Sequence, residues 1–415
     1  MSQGRTNKLS GHAWLALCAA GGILLITTGM RQSLGLFMAP IIASTHVGYA
    51  SMSFAIALGQ LVWGAAQPPF GALADRYGTG RVLLIGALLL ASGTALTPFA
   101  TNEFALLATI GIMTAAGAGA GSFSVLIGVV AQRVPAERRS FASGFVNAGG
   151  SLGQFVFAPL NQLLIASFSW MAAMWVMAVA ALGTIPLARP LLRKDPTATT
   201  ASAAAPGAPL PSALTLREQL RIAARDKSYW CLHAGFFTCG FHIAFLVTHL
   251  PGEVSLCSLP TSVAATSIGI IGLANVAGSL TAGWAGGVMR MKWLLFGVYF
   301  SRAAIIAIYL AAPKTALTFY LFAAALGFSW LATVPPTAGL IGKLFGVRYL
   351  ATLFGFTLFS HQIGGFFGAW LGGLALVRFG DYSWMWYADM ALAVTAAFIN
   401  LPIREAPLRP SAVPA

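Results

Sequence analysis

Long apolar runs recur along the whole chain, and they restrict its fold more than any other feature of the sequence. An α-helix needs about 20 apolar residues to cross a lipid bilayer, and each run is close to that length. Because lipid offers the backbone no hydrogen bonds, we expect every run to form a helix, and we number these helices span 1 to span 12. The sequence therefore predicts an all-α membrane protein with twelve transmembrane helices. The predicted spans are 14–41, 50–73, 82–100, 104–132, 140–166, 170–192, 228–250, 262–287, 293–312, 315–342, 350–377 and 383–402.

The distribution of charge indicates how the spans are oriented. Charged residues make up only 8% of the chain, whereas about 25% is typical of soluble proteins. The excess of basic residues, which gives the net charge of +14, falls at the termini and in the loops after even-numbered spans, and the opposite loops contain Lys314 and Arg378. Since positive residues concentrate in cytoplasmic loops, we predict a multi-pass protein of the bacterial inner membrane with both termini in the cytoplasm. The basic residues on that side are Arg5, Lys8, Arg76, Arg81, Arg133, Arg138, Arg139, Arg193, Lys194, Arg217, Arg221, Arg225, Lys227, Arg290, Lys292, Lys343, Arg348, Arg404 and Arg409.

The sequence contains no arrangement typical of a catalytic or metal centre. The four cysteines, Cys18, Cys231, Cys239 and Cys257, have no paired spacing. We interpret them as small apolar residues rather than as a disulfide or metal framework. The spans also carry no cluster of candidate catalytic side chains. We therefore predict that the protein is not an enzyme and that it needs no metal and no cofactor.

A segment rich in Ala, Pro, Ser and Thr divides the spans into two groups of six. It begins as RKDPTATTASAAAPGAPLPSA and ends in the basic stretch LREQLRIAARDK. The first part is typical of a flexible linker, and the second is expected to lie along the membrane as an amphipathic helix. We predict an N-terminal six-helix bundle at 1–192, a cytoplasmic linker at 193–227, a C-terminal six-helix bundle at 228–403 and a cytoplasmic tail at 404–415.

The two halves of the sequence resemble each other at a constant offset of 211 residues. In span 5 the sequence GQFVFAP at 153–159 lies 211 residues before GGFFGAW at 364–370. The same offset relates three residues of span 1 to three residues of span 7, and one shared offset in two separate helices indicates a six-helix repeat. Transporters built from such repeats bind their substrate near the middle of the bilayer, between the halves. The matched residues are Gly29 with Gly240, Arg31 with His242, and Pro40 with Pro251.

A short motif between spans 2 and 3 carries a specific pattern of glycines and charges. The sequence GALADRYGTGRV at 71–82 has the form G-x-L-x-D-R-x-G-x-x-R and resembles the loop of that form in the major facilitator superfamily. Asp75 can cap the N-terminus of a neighbouring helix or pair with a base, and such a contact would hold the inner face closed. The second copy, AGWAGGVMRMK at 282–292, keeps Gly283 and the bases but lacks the acid. The residues that we assign to this latch are Gly71, Asp75, Arg76, Gly78 and Arg81.

The resemblance to the major facilitator superfamily covers nearly the whole chain. It implies two pseudo-symmetric six-helix bundles that rock about one central site. The stretches GMRQSLGLF, GFHIAFLVTHLP and SHQIGGFFGAWLGG are similar to those of bacterial members grouped with oxalate/formate exchangers and monocarboxylate carriers. Monocarboxylate carriers typically have an Asp and an Arg in span 8, where this chain has Asn275 and Ser279. Span 5 also lacks the G-x-x-x-G-P signature that is typical of drug antiporters.

Few ionisable side chains lie within the predicted spans, and each is a candidate functional residue because its burial in lipid is costly. The resemblance implies that spans 1, 2, 4, 5, 7, 8, 10 and 11 line the cavity and that the other spans are peripheral. Arg31 offers a planar donor to a carboxylate, with the alternative that it binds backbone carbonyls or reaches the outer surface. Arg302 and Asp389 fall on peripheral spans, where we expect them to pair with each other, to contact lipid or to pack. The ionisable residues that we single out within the spans are Arg31, His233, His242, His249, Arg302, His361 and Asp389.

The repeat places Arg31 and His242 at matching positions, and we predict that the substrate binds between them. A histidine there could donate a hydrogen bond to an anion or carry a proton, or it could be a packed core residue. Since the cavity spans contain no Asp or Glu, proton coupling would require a histidine or the substrate itself to carry the proton. The predicted substrate-binding residues are Arg31, Gln32, Asn147, Gln154, His242, Asn275, Trp330, His361 and Gln362.

These features predict a secondary transporter that works by alternating access. A cavity with bases and no acids favours an anion, so the leading hypothesis is a small organic anion such as a carboxylate. The alternatives are uptake of an aromatic or vitamin-like solute such as riboflavin, which the amide and aromatic residues favour, and efflux of drugs or metabolites. A membrane sensor is a further alternative, but it would need a signalling domain. We expect a monomer that contacts the lipid bilayer and a small-molecule substrate, and no nucleic acid.

Overall fold

A computed structural model describes residues 9–192 and 214–406 of the chain, and within these ranges the regular structure is helical throughout. The helices form twelve spans in two groups of six, which confirms the predicted all-α class. Spans 1 to 6 contain the helices Gly11–Gln32 and Met38–Thr45, Tyr49–Tyr77, Thr79–Leu96, Glu103–Leu106 with Ala115–Ala120 and Phe123–Ala131, Arg139–Ser167, and Trp170–Leu182 with Thr184–Leu192. Spans 7 to 12 contain the helices Lys227–Leu256, Thr261–Val288, Met291–Ala311, Ala316–Ser329 with Val334–Phe345, Leu350–Phe379, and Ser383–Asn400.

The spans differ in how apolar they are. Nine helical segments within the described ranges are long and apolar enough to cross a membrane by length and composition alone. Spans 2, 5 and 12 are not among them. Spans 2 and 5 carry several amide or hydroxyl side chains, such as Gln60 and Asn147. Both spans lie at the interface between the two halves, where polar side chains find partners instead of lipid.

Four spans are broken, although the apolar runs predict continuous helices, and the break in span 6 lies at Gly183. The α-helix of span 1 ends at Gln32 and continues through a 3₁₀ turn at Leu34–Phe37. Span 4 is interrupted at Gly121 and Ser122, and span 10 between Ser329 and Val334. The apolar run continues on both sides of the breaks in spans 4 and 10, so hydropathy carries no signal for them, whereas the break in span 1 follows the polar residues Arg31 and Gln32. Broken helices expose backbone groups that a membrane tolerates only where protein or a cavity satisfies them.

The offset of 211 residues found in the sequence also relates the two halves of the structure. Tyr49–Tyr77 corresponds to Thr261–Val288, and Arg139–Ser167 corresponds to Leu350–Phe379, within a residue or two at each end. The breaks in spans 4 and 10 lie at equivalent places too. The two halves are therefore pseudo-symmetric bundles, as the resemblance implies.

Glycines allow close contact between spans 1 and 5 and between the equivalent spans 7 and 11. A Cβ atom at Gly153 would collide with the backbone carbonyl of Leu25, and one at Gly364 would collide with that of Phe237. The two glycines are themselves related by the repeat offset. Small residues at such positions let transmembrane helices pack backbone to backbone.

The two bundles contact each other from the middle of the spans to one membrane face. We call this the terminal face, because span 1 begins and span 12 ends there. Span 5 packs on span 8, where a Cβ at Gly144 would lie 2.5 Å from the Ser279 carbonyl oxygen. Span 2 packs on span 11, where a Cβ at Gly355 would lie 3.0 Å from the Gln67 carbonyl oxygen. The described structure is therefore closed at its terminal face.

The basic stretch before span 7 forms the helix Leu216–Arg225, and it begins with a capping box between Thr215 and Glu218. Hydrogen bonds from the Thr215 backbone and hydroxyl hold the pKa of the Glu218 carboxyl below its ordinary value. The Tyr349 hydroxyl donates to the Leu214 carbonyl over 3.1 Å, which ties this segment to the start of span 11. The predicted flexible part of the linker lies outside the described residues, as do Arg5, Lys8, Arg193, Lys194 and Arg409.

Candidate functional site

Arg31 occupies the end of the first helix of span 1, directly before the break. One terminal nitrogen of its guanidinium donates to the Gln60 side-chain oxygen, and the guanidinium carbon lies 4.2 Å from the centre of the Trp63 ring. Its Nε is buried and has no hydrogen-bond partner. Within residues 9–192 and 214–406, no carboxylate forms a salt bridge with Arg31. Span 2 therefore positions a cation in the membrane through an amide and an aromatic face, without a counter-ion.

Two asparagines predicted to bind substrate meet at the break in span 10. The Asn147 amide donates to the Leu331 carbonyl over 3.2 Å, and the Leu331 N–H donates to the Asn275 side-chain oxygen over 3.1 Å. The asparagines are also linked through two serines, because Asn147 donates to Ser279 and Asn275 donates to Ser151, each over 2.7 Å. This network joins the two bundles near the middle of the spans. It also gives the Leu331 N–H an acceptor, and it gives the Leu331 carbonyl a second donor beside the Val334 N–H.

Arg302 and Cys239 contact further backbone carbonyls of the same break. Arg302 is fully buried, and one of its terminal nitrogens donates to the carbonyls of Ser329 and Trp330. The Cys239 thiol lies 3.8 Å from the Trp330 carbonyl and 3.4 Å from the Thr333 hydroxyl. Two further guanidinium nitrogens of Arg302 have no partner. A charged side chain of peripheral span 9 thus reaches the central broken segment.

His242 and Asp389 form a buried pair that joins span 7 to span 12. The His242 Nδ1 lies 2.5 Å from an Asp389 carboxylate oxygen, and the two side chains are 1% and 0% exposed. The His242 ring also packs edge to face on Trp330, with 5.9 Å between ring centres. We expected Arg302 and Asp389 to pair with each other, to contact lipid or to pack, but Asp389 pairs with His242 instead. Arg302 binds backbone carbonyls, because the break in span 10 exposes acceptors beside it.

The other predicted substrate-binding residues lie around this centre with different exposure. The His361 Nδ1 lies 3.2 Å from the Gln362 amide nitrogen, and the His361 ring packs on Phe236. Gln362 is buried against Gly64 of span 2, which places it between the bundles. Gln154 is half-buried, whereas Gln32 is exposed.

The structure thus groups some of the predicted residues and separates others. Asn147, Asn275 and Trp330 share one network, and His242 joins it through the Trp330 ring. Arg31 turns towards span 2 and His242 towards span 12, so each contacts its own bundle.

The residues that we did not assign to the site are Gln60, Trp63, Cys239, Ser279, Arg302 and Asp389. The signal for Asp389 was present as an acid in a span, but its place on a peripheral helix led to a packing role. No group of three or more His, Cys, Asp or Glu in the described ranges could hold a metal ion.

The motif between spans 2 and 3 makes a direct contact with the other bundle. The Thr352 N–H and hydroxyl both donate to one Asp75 carboxylate oxygen, over 3.1 and 2.7 Å. Thr352 lies in the first turn of span 11, so Asp75 caps the N-terminus of that helix. Gly71 packs on the backbone of Ala351, which leaves no space for a side chain.

The other latch residues shape the loop. Gly78 has a φ of +94°, a conformation that favours glycine, and it connects the helices of spans 2 and 3 without a longer loop. Arg76 and Arg81 are exposed at the terminal face. Their charges are therefore available to solvent or lipid headgroups rather than to a buried partner.

The second copy of the motif contacts the first bundle without an acid. Gly286 stands where the repeat offset places the counterpart of Asp75. A Cβ at Gly286 would collide with the Ser140 hydroxyl, and that hydroxyl is buried without a hydrogen-bond partner. The terminal face is therefore held by one charged cap and one close glycine contact.

Comparison with known proteins agrees with this architecture. The chain is 26% identical to monocarboxylate transporter 13 of Rattus norvegicus over 405 residues, which cover 94% of this chain and 89% of that protein. It is 23% identical to the oxalate:formate antiporter of Oxalobacter formigenes over 403 residues, covering 95% of this chain and 91% of that protein. Among solved structures, the proton:xylose symporter XylE superimposes with a TM-score of 0.72 at 14% identity, over 96% of this chain and 97% of that chain.

A family model gives the most direct assignment. The model of the Major Facilitator Superfamily matches residues 20–369, which run from within span 1 to within span 11. The match agrees with the twelve spans, the repeat and the motif between spans 2 and 3. The chain therefore belongs to the major facilitator superfamily of multi-pass membrane transporters.

Proposed function

We propose that this transporter moves a small organic anion, a carboxylate, across the bacterial inner membrane by alternating access and without covalent chemistry. The observation that carries the proposal is Arg31, a cation in the membrane that forms no salt bridge within the described ranges. An uncompensated charge in lipid is costly, so an anionic solute that supplies the counter-ion gains affinity from it. Relatives named for monocarboxylate transport and oxalate:formate exchange support this substrate class.

The orientation is part of the same proposal. We assign the terminal face to the cytoplasm, because the basic residues Arg76, Arg81 and Arg348 are exposed there. The described structure then has its cytoplasmic side closed, and transport requires the Asp75–Thr352 contact and the asparagine network to separate. Proton coupling is included in the proposal, as in the symporter XylE, whose name states that it moves a proton with xylose.

A planar aromatic solute such as riboflavin is the second candidate substrate. The rings that could stack on it, Trp63 and Trp330, are 4% and 5% exposed. Arg31 covers one ring and His242 packs on the other. Both faces would have to be uncovered before they could bind a flat solute, so the carboxylate is favoured.

The test of the proposed substrate is counterflow of radiolabelled carboxylates into proteoliposomes that contain the full chain. Oxalate, formate and L-lactate serve as probes, with riboflavin as the planar competitor. We expect Arg31→Gln to lower carboxylate affinity by about ten- to a hundredfold, because a hydrogen bond to a charged group contributes about 1.5–3 kcal/mol. Arg31→Lys should lose less, since it keeps the charge but not the planar fork.

Arg378→Gln is the matched control, because Arg378 is also an arginine but is exposed, in the last turn of span 11. It should leave counterflow at the wild-type level. Equal carboxylate affinity in wild type and Arg31→Gln, with normal expression, would overturn the assignment of Arg31. Binding of riboflavin without binding of any carboxylate would favour the second candidate.

A further inference from the structure

The C-terminal bundle contains an acid–base pair that the transport of an anion does not by itself require. His242 and Asp389 are 1% and 0% exposed, and their Nδ1 and carboxylate oxygen are 2.5 Å apart. A single membrane acid would usually be expected to face a cavity or a partner. Asp389 lies on a peripheral helix and meets the one histidine of span 7 that also contacts the central broken segment.

Each member of the pair has a polar atom that could form a further hydrogen bond. The His242 Nε2 and the second Asp389 oxygen are both buried and have no hydrogen-bond partner. An ionised carboxylate with an unpartnered oxygen is costly in a medium of low dielectric, so uptake of a proton by the pair removes an unfavourable charge. The His242 Nδ1 and the Asp389 oxygen are close enough to hold one proton between them, so a bound proton is assigned to the pair rather than to either residue.

The charges around the pair determine how a bound proton would affect the binding of an anion nearby. Arg302 of span 9 reaches the backbone of Trp330, the same residue whose ring contacts His242. With Arg302 and Asp389 charged and His242 neutral, the charges balance. Uptake of one proton leaves one positive charge in excess, and an anion bound nearby would compensate it.

The remaining titratable groups near the pair come from three spans. Cys239 lies one turn before His242 on span 7, and Tyr299 lies on span 9, where its hydroxyl donates to the Gly235 carbonyl. His361 of span 11 lies against Cys239 and pairs with the Gln362 amide. Asp389 is the acid among the groups that contact His242 in the described structure.

We propose that the buried His242–Asp389 pair is the proton-binding site of this transporter and that its occupancy is coupled to the broken segment of span 10. The proposal rests on the proposed function as an anion transporter. Trp330 contacts His242 through its ring, and Leu331, the next residue, binds Asn147 and Asn275 across the bundle interface. Proton binding, anion binding and the bundle contact thus meet at two consecutive residues. Because linkage is reciprocal, a proton that raises anion affinity must itself bind more tightly when the anion is present.

The first experiment measures how many protons accompany each anion. Proteoliposomes with an entrapped pH-sensitive dye receive radiolabelled oxalate, formate or L-lactate, and proton and anion uptake are recorded together. We expect Asp389→Asn and His242→Gln to lower the ratio of protons to anions about tenfold or more, because an amide side chain takes up no proton. The ratio of protons to anions can be compared between variants that transport at different rates, since both fluxes are measured in the same vesicles.

Two control variants change residues of the same types outside the pair. His233→Gln removes another histidine of span 7, whose ring pairs with the Ser360 hydroxyl rather than with an acid. Asp381→Asn removes an exposed acid that accepts from the Ser383 N–H at the start of span 12. Both controls should keep the wild-type ratio. An unchanged ratio in Asp389→Asn would overturn the proposal.

A second measurement needs no substrate and separates this proposal from the proposed function. Infrared difference spectra of the solubilised full chain, recorded across a pH series, report the carboxylic acid that takes up a proton. We expect a titrating carboxyl band that shifts in Asp389→Glu and changes its pH dependence in His242→Gln. A titrating band that is identical in wild type and Asp389→Glu would overturn the proton site. Absence of all carboxylate counterflow in wild type would overturn the proposed substrate, and the infrared result would still decide on the pair.

Discussion

Asp75 links the two bundles through a single carboxylate oxygen. It accepts from the Thr352 N–H and hydroxyl at the start of span 11, so the anion lies where the helix dipole is positive. One residue therefore combines a cap, a charge interaction and a contact that must break whenever the terminal face opens. The neighbouring Gly71 permits this approach, since its Cα lies against the backbone of Ala351.

We predict that Asp75→Ala weakens the closed terminal face by about 1 kcal/mol, which is the usual effect of losing an N-terminal cap. The Thr352 amide should then exchange with solvent several-fold faster in hydrogen–deuterium exchange of the span 11 peptides. Asp75→Asn keeps an acceptor oxygen and should lie between wild type and Asp75→Ala. Arg81→Gln, an exposed change in the same loop, is the control. Equal exchange at the start of span 11 in all variants would contradict the latch.

Single residues also show where inference from the sequence ends. Asp75 was identified from its motif, and its predicted role as a helix cap agrees with its contact to Thr352. Asp389 was visible as an acid within a span, but its partner His242 lies 147 residues away. Neither residue type nor helical period specifies that pairing, because it depends on how span 12 is rotated against span 7.

At the scale of an element, the broken segment of span 10 is the most heavily hydrogen-bonded stretch of the site. The carbonyls of Ser329 and Trp330 accept from Arg302, and both backbone groups of Leu331 bind asparagines. The second half of the span starts with Val334 and then Pro335, and proline is tolerated in the first turn of a helix because its missing N–H needs no partner there.

Lipid thickness explains why the spans were predictable and their breaks were not. A span needs a certain length of apolar sequence, and that length is read directly from the chain. A break costs several backbone hydrogen bonds, and distant side chains replace them: Thr27 binds the Gly121 carbonyl, and Asn147 binds that of Leu331. The local sequence contains the break but not the residues that make it possible.

We predict that Asn275→Ala lowers the thermal unfolding temperature by several degrees, because it leaves the Leu331 N–H without its acceptor, and that Asn147→Ala lowers it less, because the Leu331 carbonyl still accepts from the Val334 N–H. The Asn147 amide and the Asn275 oxygen act on the same residue, so the double variant should lose less than the sum of the two. Thr281→Ala is the control, since the exposed Thr281 hydroxyl binds only the Ala277 carbonyl of its own helix. Unfolding of purified protein in detergent, followed by intrinsic fluorescence, measures the effect. Additive losses would contradict a shared network.

At the scale of the whole molecule, the repeat determines which contacts occur twice. Spans 1 and 5 approach at Gly153, and spans 7 and 11 approach at Gly364, with a backbone carbonyl opposite each glycine. The equivalent positions Gly144 and Gly355 serve the contacts between the bundles. The architecture was predictable because this symmetry is preserved in the sequence offset as well as in the helices.

We predict that Gly153→Ala and Gly364→Ala lower the yield of folded protein to a similar extent. In each case the new methyl group would meet a carbonyl of a neighbouring helix, and backbone cannot move aside as a flexible side chain can. Gly297→Ala is the control, because open space surrounds that position in span 9. Size-exclusion chromatography of a fluorescent fusion gives the monodisperse fraction. A large loss for one glycine only would contradict equivalent packing in the two bundles.

The two copies of the loop motif differ at one position, which is Asp75 in the first copy and Gly286 in the second. Asp75 caps the opposite bundle, whereas Gly286 meets the unpartnered hydroxyl of Ser140. A carrier cannot change the accumulation ratio, which the driving gradient alone sets. A helix cap in only one copy of the motif is instead expected to favour one conformation of the carrier without substrate and to slow its change to the other conformation. We therefore expect kinetic polarity: half-saturation by the same solute should occur at different concentrations on the two sides of the membrane.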